Sequence, residues 1–204
     1  MKLYHAPGAC SLAPHIALFE AGIAAETIRV DLRSHTLPDG SDYLAVNPKG
    51  YVPMLELDDG TTYTEVAVLL QIIADRKPGT LAPAAGAPER YRQQEWLNFI
   101  ATEIHKGYGM LWHPEVGEAA VAAAKASLAK RYAIVEAQLG RTKFIAGDGF
   151  TVADAYLFTV TRWSDFLKVD LSAFPNLQAY QKRIAARPGV IAAMTAERLI
   201  KAAA

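Results

Sequence analysis

The run Tyr4–Gly22, "YHAPGACSLAPHIALFEAG", reads as a strand that passes through a Pro7-Gly8 turn into a helix. The strand is "KLYHA" (Lys2–Ala6). In the helix Leu12, Ile16 and Phe19 recur at i, i+4 and i+7 on one expected inner face, and Gly22 stands where a left-handed residue would stop it. Downstream, "TIRVDL" (Thr27–Leu32) is rich in β-branched residues and reads as a second strand. "MLELDDGTTY" (Met54–Tyr63) reads as a hairpin around Asp59-Gly60, after which Thr64 is placed to cap a helix carrying "EVAVLLQIIAD". The order is β-α-β, a loop with a short helix, then β-β-α.

From Arg76 to Pro88 the chain is a run of proline, glycine and small residues, the composition of a linker. Beyond it strand signals fade. Thr151 to Asp154 has the form of a capping box, and Phe174–Val190 carries a helix expected to end near Arg187-Pro188-Gly189. The division expected is an α/β domain over 1–78, a linker over 79–87 and an all-α domain over 88–204.

The 204 residues balance acids and bases to a formal net charge of zero, which lacks the basic footprint of a nucleic-acid binder. No apolar run reaches the roughly 18 residues of a membrane span. "PGAC" has a faint likeness to a lipoprotein box, but "LYHAP" is no apolar signal core. A lone cysteine forms no internal disulfide, which suits a reducing cytoplasm.

That cysteine, Cys10, lies at the start of the first helix, where free N–H groups and the helix dipole would stabilise a thiolate. A single cysteine is also commonly a small buried hydrophobe, so both readings stand. Ser11 can cap the helix. The motif "CSLA" carries no resolving thiol, so any redox cycle needs a thiol from outside, and no helical histidine pair suggests a metal site. Pro53 opens a strand: a cis bond there would leave the preceding backbone free to pair with an extended ligand, and an ordinary edge proline would not. Glu65, in a helix first turn, could receive a ligand ammonium or merely match the dipole.

Projected at about 100° per residue, Glu89–Leu111 shows three stripes. Leu97, Ile100, Ile104, Tyr108 and Leu111 form a core face. Arg92, Glu95, Glu103 and Lys106 form a charged one. Asn98, Thr102, His105 and Gly109 form a narrow polar stripe without charge, the kind that lines a cleft. His105 is there either a bystander or a hydrogen-bonding partner for a thiolate.

Taken together, "MKLYHAPGACSLAPHIAL", "DYLAVNPKGYVPMLELDDGTTYTE", "EWLNFIATEIHKG" and "FTVADAYLFTVTRW" resemble the bacterial beta-class glutathione transferases, nearly end to end. The resemblance implies a thioredoxin-like N-terminal domain, an all-helical C-terminal domain, a homodimer, and glutathione as co-substrate with no metal. It implies that Cys10 contacts the glutathione sulfur, that Val52 beside Pro53 pairs with its cysteinyl backbone, and that Glu65 with the Val66 N–H holds its γ-glutamyl end. Asn98, Thr102 and His105 would face the site, and Ser11 would hydrogen-bond near the thiol. His35 stands where the family commonly has a lysine for the glycyl carboxylate, leaving Arg33 or Lys49 as substitutes, and Val66 stands where relatives have a small residue. Both predict weaker glutathione binding. The activity implied is conjugation of glutathione to small hydrophobic electrophiles, in a pocket expected to involve Tyr108, Trp112 and Trp163. Thiol transfer or peroxide reduction through Cys10 is a second enzymatic reading. The alternative of another class is a non-catalytic ligand-binding or regulatory module on the same fold.

Overall fold

The computed structural model describes residues 1–201. It divides into two compact units: one holds Met1–Ala82 together with the chain from Ala186 onward, the other Pro83–Ala185. The sequence reading kept everything from 88 to 204 in one helical domain, and its last three residues lie outside those described. The structure instead returns the C-terminal segment to the first unit, where helix α9 (Pro188–Ala196) packs on α1 (Leu12–Ala21). Composition hides this, because a helix that docks on a sheet domain looks like any other helix.

In the first unit, β1 (Lys2–His5), β2 (Glu26–Arg29), β3 (Met54–Glu56) and β4 (Thr62–Thr64) form one sheet in the order β2-β1-β3-β4. β1 and β2 run parallel, joined through α1, and Leu3 pairs with Thr27. β3 is antiparallel to both neighbours, with Leu55 opposite Leu3 on one side and Tyr63 on the other. This is the β-α-β, β-β-α order expected from the strand and turn signals, and the thioredoxin-like fold that the resemblance implied. Alternation along the strands sends Leu3 and Leu55 to one face and Tyr4 and Met54 to the other. The second face is sealed by Val30, Val52 and Tyr43, the last from the short helix α2 (Tyr43–Val46).

α1 is buried nearly all round, since α3 (Val66–Asp75) and α9 both pack on it. Phe19, expected on the inner stripe, is consequently 43% exposed while Leu18 is buried. Gly22 does close the helix in the left-handed conformation, φ 64°. Gly189 permits the close approach of α9: a Cβ there would lie 2.7 Å from Cγ of Glu20. Arg187 adds two hydrogen bonds to the Glu20 carboxylate, at 3.0 and 2.6 Å. The expected helix over Phe174–Val190 is really two, α8 (Pro175–Ala185) and α9, because Pro188 cannot continue the first and begins the second at a position where no N–H is needed.

The second unit is helical. The single helix expected over Glu89–Leu111 begins as α4 (Pro88–Phe99), widens into a π turn over Ile100–His105 and tightens to a 3-10 helix over Lys106–Trp112. The core stripe survives these changes: Leu97, Ile100, Ile104, Tyr108 and Leu111 are all buried. α5 (Glu118–Leu139), α6 (Val152–Thr161) and the short α7 (Trp163–Leu167) complete the unit with α8. The capping box is present. Asp154 accepts the Thr151 N–H at 2.8 Å, and its other oxygen accepts the Ile145 N–H at 2.8 Å and the Tyr180 hydroxyl at 3.0 Å. Burial is the largest influence on this carboxyl and pushes its pKa up to about 6 against those hydrogen bonds. Among the described residues no helix is long and apolar enough to cross a membrane.

Candidate active site

Cys10 lies in the turn between β1 and α1, partly buried. Its Sγ donates to the Val52 carbonyl oxygen at 3.2 Å. Burial pushes the thiol up to about 12, outweighing the Cys10 and Ser11 N–H groups at the helix start, which act in the lowering direction; the Glu65 carboxylate adds a small upward push. The helix-start argument therefore has the right sign for its own effect but loses to desolvation. In this state Cys10 is a neutral hydrogen-bond donor.

Ser11 sits at the N-cap position, but its side chain makes no capping bond. The hydroxyl, fully buried, accepts from the Ala6 N–H and donates to the Ala6 carbonyl, both at 3.1 Å. It is committed to shaping the turn below the cysteine rather than to the thiol.

The Val52–Pro53 peptide bond is cis. The Val52 carbonyl, expected to be free, takes the Cys10 thiol, whereas its N–H has no partner among the described residues. Thr64 ends β4 instead of capping α3; the cap position belongs to Glu65, whose backbone is left-handed in φ at 71° with ψ 118°. This conformation, costly for a residue with a Cβ, presents the start of α3 with the side chain of Glu65 in solvent. Lys49 Nζ lies 3.4 Å from that carboxylate and donates to Thr64 Oγ1 at 2.8 Å. Val66 is buried, 5% exposed, at the first position of α3. Its N–H belongs to the first turn of α3, where no intrahelical acceptor exists.

His35 also has a left-handed backbone, φ 53°. Its ring lies against Gly50, where a Cβ would come within 3.0 Å of the imidazole, and its buried Nδ1 has no hydrogen-bond partner. Gly50 is itself at φ 69°, so a glycine there serves both the turn and the ring.

In the helical unit, Asn98 and Thr102 are exposed and His105 is half-buried. The Thr102 hydroxyl donates to the Asn98 carbonyl at 3.0 Å. His105 ends the π turn, and its Nδ1 lies 2.6 Å from the Tyr156 hydroxyl. Tyr156 was not singled out by sequence, since it lies in an apolar helix pattern that gives no sign of a polar task. The ring of His105 also meets Trp163 edge-on at 5.0 Å. Trp163 is the hub of an aromatic group that includes Trp112 at 5.7 Å, and Trp112 continues to Phe166 at 5.9 Å. Tyr108, expected to line a pocket, is instead fully buried with its hydroxyl 2.8 Å from that of Tyr132. The exposed members are Trp112 and Phe166.

Two family models match the chain: the glutathione S-transferase N-terminal domain over residues 8–76 and the C-terminal domain over 99–188. The glutathione S-transferase GstA of Escherichia coli O157:H7 is 46% identical over 98% of this chain and 100% of its own. A beta-class glutathione S-transferase from Sphingomonas chungbukensis matches with TM-score 0.94 and 45% identity over 98% of this chain and 100% of its own. A sphingomonad glutathione S-transferase solved in complex with glutathione also matches with TM-score 0.94, at 44% identity over 98% of this chain and 100% of that one. With both domain models matched in order and these relatives aligned end to end, the chain belongs to the glutathione S-transferase family, in its bacterial beta class.

Proposed function

We propose that this protein conjugates the thiol of glutathione to small apolar electrophiles. The observation that carries the reading is the group formed in the first unit by the Cys10 thiol, the Val52 N–H and the opened start of α3 at Glu65 and Val66. A tripeptide with a thiol, a backbone and a zwitterionic γ-glutamyl end needs a group of each of those kinds. The glutathione thiol would lose its proton to solvent, and the neutral Cys10 S–H would turn from the Val52 carbonyl to stabilise the resulting thiolate by donating to its sulfur. Val52 would pair with the cysteinyl amide. Glu65 would take the ammonium and the Val66 N–H the carboxylate of the γ-glutamyl end. His35 is assigned to the glycyl carboxylate by the sequence resemblance. Asn98, Thr102 and His105 are assigned to the same ligand by the sequence resemblance.

The glutathione thiolate then attacks an electrophilic carbon, the new C–S bond forms, and the leaving group departs with its electron pair. Trp112 and Phe166 offer the exposed aromatic surface that an apolar acceptor needs. The neutral state of Cys10 favours conjugation over thiol transfer, which would require Cys10 itself as the thiolate. A homodimer in the cytoplasm belongs to the same proposal. The test is thioether formation and halide release from a chlorodinitrobenzene and a panel of other electrophiles. Turnover that survives in Cys10→Ala supports conjugation and removes the thiol-transfer reading. Bound glutathione without turnover of any electrophile supports the ligand-carrying module.

A further inference from the structure

Outside the groups assigned above, the first unit buries a second polar cluster. His5 at the end of β1, His15 on α1 and Glu197 just past α9 are each less than a tenth exposed. His15 Nδ1 donates to Glu197 Oε1 at 2.9 Å, and His5 Nδ1 stands 3.5 Å from the same oxygen. The other oxygen, Oε2, accepts the Gly8 N–H at 2.9 Å. Gly8 is two residues before Cys10, at the tip of the turn, with φ 74°.

The chain arrives there by a specific turn. After α9 the backbone reverses at Arg198, φ 58°, with Arg198 N–H donating to Thr195 at 2.9 Å and Leu199 N–H to Met194 at 2.8 Å. This is a helix-ending motif that satisfies the last carbonyls. It leaves Glu197 inside and sets Leu199 over Gly8, where a Cβ would meet its side chain at 3.4 Å. From within, the turn has the Ala9 N–H bonded to the Ala6 carbonyl at 3.1 Å, and Ser11 closed on Ala6. Its tip is held by the C-terminal segment.

We infer that Glu197, oriented by His15, is a positioning residue that fixes the Gly8–Cys10 turn and so sets the exposure and aim of the Cys10 thiol. A carboxylate so deeply buried is an expensive fastener unless its oxygens are met by donors. Here one oxygen has an imidazole and the other a backbone N–H. The turn could have been held by apolar packing alone. A charged hydrogen bond adds direction, which a thiol that must meet a bound sulfur requires. One nitrogen of His5, one of His15 and one oxygen of Glu197 also lie within 4.8 Å of one another, a spacing that a small cation could bridge. The contacts already present satisfy Glu197 with protein groups.

The thiol readout needs no knowledge of substrate, because Cys10 is the only cysteine and its alkylation by iodoacetamide can be followed directly. The kinetic readout rests on the glutathione reading above. Glu197→Ala is expected to speed alkylation about tenfold and to raise the KM for glutathione by a similar factor, with a smaller change in kcat. Glu197→Gln keeps an acceptor for Gly8, while its NH2 can meet His15 only once the ring proton moves from Nδ1 to Nε2; it is expected to bring both values most of the way back to wild type. Glu197→Asp withdraws the carboxylate by one methylene and serves if the alanine variant does not fold; it is expected to fall between. Glu20→Ala cuts the Arg187 pair at the other end of the α1–α9 contact, and is expected to lower the melting temperature without speeding alkylation. Wild-type alkylation rates in Glu197→Ala or Glu197→Asp, or equal acceleration by Glu20→Ala, would overturn the inference. So would zinc bound at one ion per chain that raises the melting temperature of wild type alone, since the cluster would then be a metal centre. If wild type binds no glutathione, the alkylation series still decides the role of Glu197.

Discussion

The thiol of Cys10 is hydrogen-bonded as a donor to the carbonyl of Val52, 3.2 Å away, and is neutral in the free protein. A helix start usually draws a cysteine towards the thiolate, and here burial prevails. With the thiol pushed up to about 12, the thiolate is a minute fraction near pH 8. The alkylation rate of the free protein should therefore climb steadily with pH from 6 to above 10 without levelling off. A plateau near pH 7, read from the same rate series, would show a thiolate site instead.

Glu65 holds an unfavourable backbone conformation at the start of α3, φ 71° and ψ 118°, while its side chain is 70% exposed and pairs with Lys49. A position that stores strain yet contributes little packing is one where function and stability part. Glu65→Gly is expected to hold or raise the melting temperature, because glycine takes φ > 0 at no steric cost. It should at the same time raise the glutathione KM by about tenfold or more, the size of losing one charge-assisted contact. Glu65→Gln should lie between in KM. Loss of stability with unchanged KM would show the side chain to be structural.

His105 is oriented through Nδ1 by the Tyr156 hydroxyl at 2.6 Å. The contact fixes the orientation of the imidazole, whichever of the two groups carries the proton. His105→Ala is expected to lower kcat/KM about tenfold to a hundredfold. Tyr156→Phe should cost less, and the double variant should match His105→Ala, because the tyrosine acts through the histidine. Additive losses, measured as kcat/KM across the four proteins, would separate the two.

Asp154 gathers the α6 cap, the Ile145 N–H and the Tyr180 hydroxyl on one buried carboxyl. Asp154→Ala is expected to cost about 3 kcal/mol, since it strands buried donors. The carboxyl titrates near 6 in the fold, above the roughly 3.9 of an unfolded chain. The folded state thus holds the proton longer, so the group's contribution is fullest below about pH 4 and declines as pH rises through 6. In urea melts at several pH values, the gap between wild type and Asp154→Ala should narrow over that interval. A gap that widens instead would show the carboxylate to be better stabilised than its burial suggests.

Strand, hairpin and cap signals are local, and that is why the order of elements along the first unit and the Thr151–Asp154 box could be read from residues alone. The two-part division was legible from the change in texture at the linker. What escaped were arrangements made by distant parts of the chain. Nothing in "RPGVIAAMTAERL" tells that α9 docks on α1, or that Glu197 returns to meet His5, His15 and Gly8. The π turn at Ile100–His105 left the three stripes of the helix visible while changing its regularity. At the candidate site, Cys10, Pro53 and Glu65 carried signals because each sits at a boundary between elements. For Ser11 and Tyr108 residue type left the surroundings open: the Ser11 hydroxyl is closed on Ala6, and Tyr108 is wholly in the core, as its stripe predicted.

The central claim is that this chain binds glutathione through its first unit, and the most direct measurement is a calorimetric titration of the reduced protein with reduced glutathione. It needs no choice of electrophile. The account predicts saturable binding at one site per chain, with a Kd in the micromolar to millimolar range, and a loss of that heat in Glu65→Gly. No detectable heat, together with a melting temperature unmoved by saturating glutathione, would contradict it.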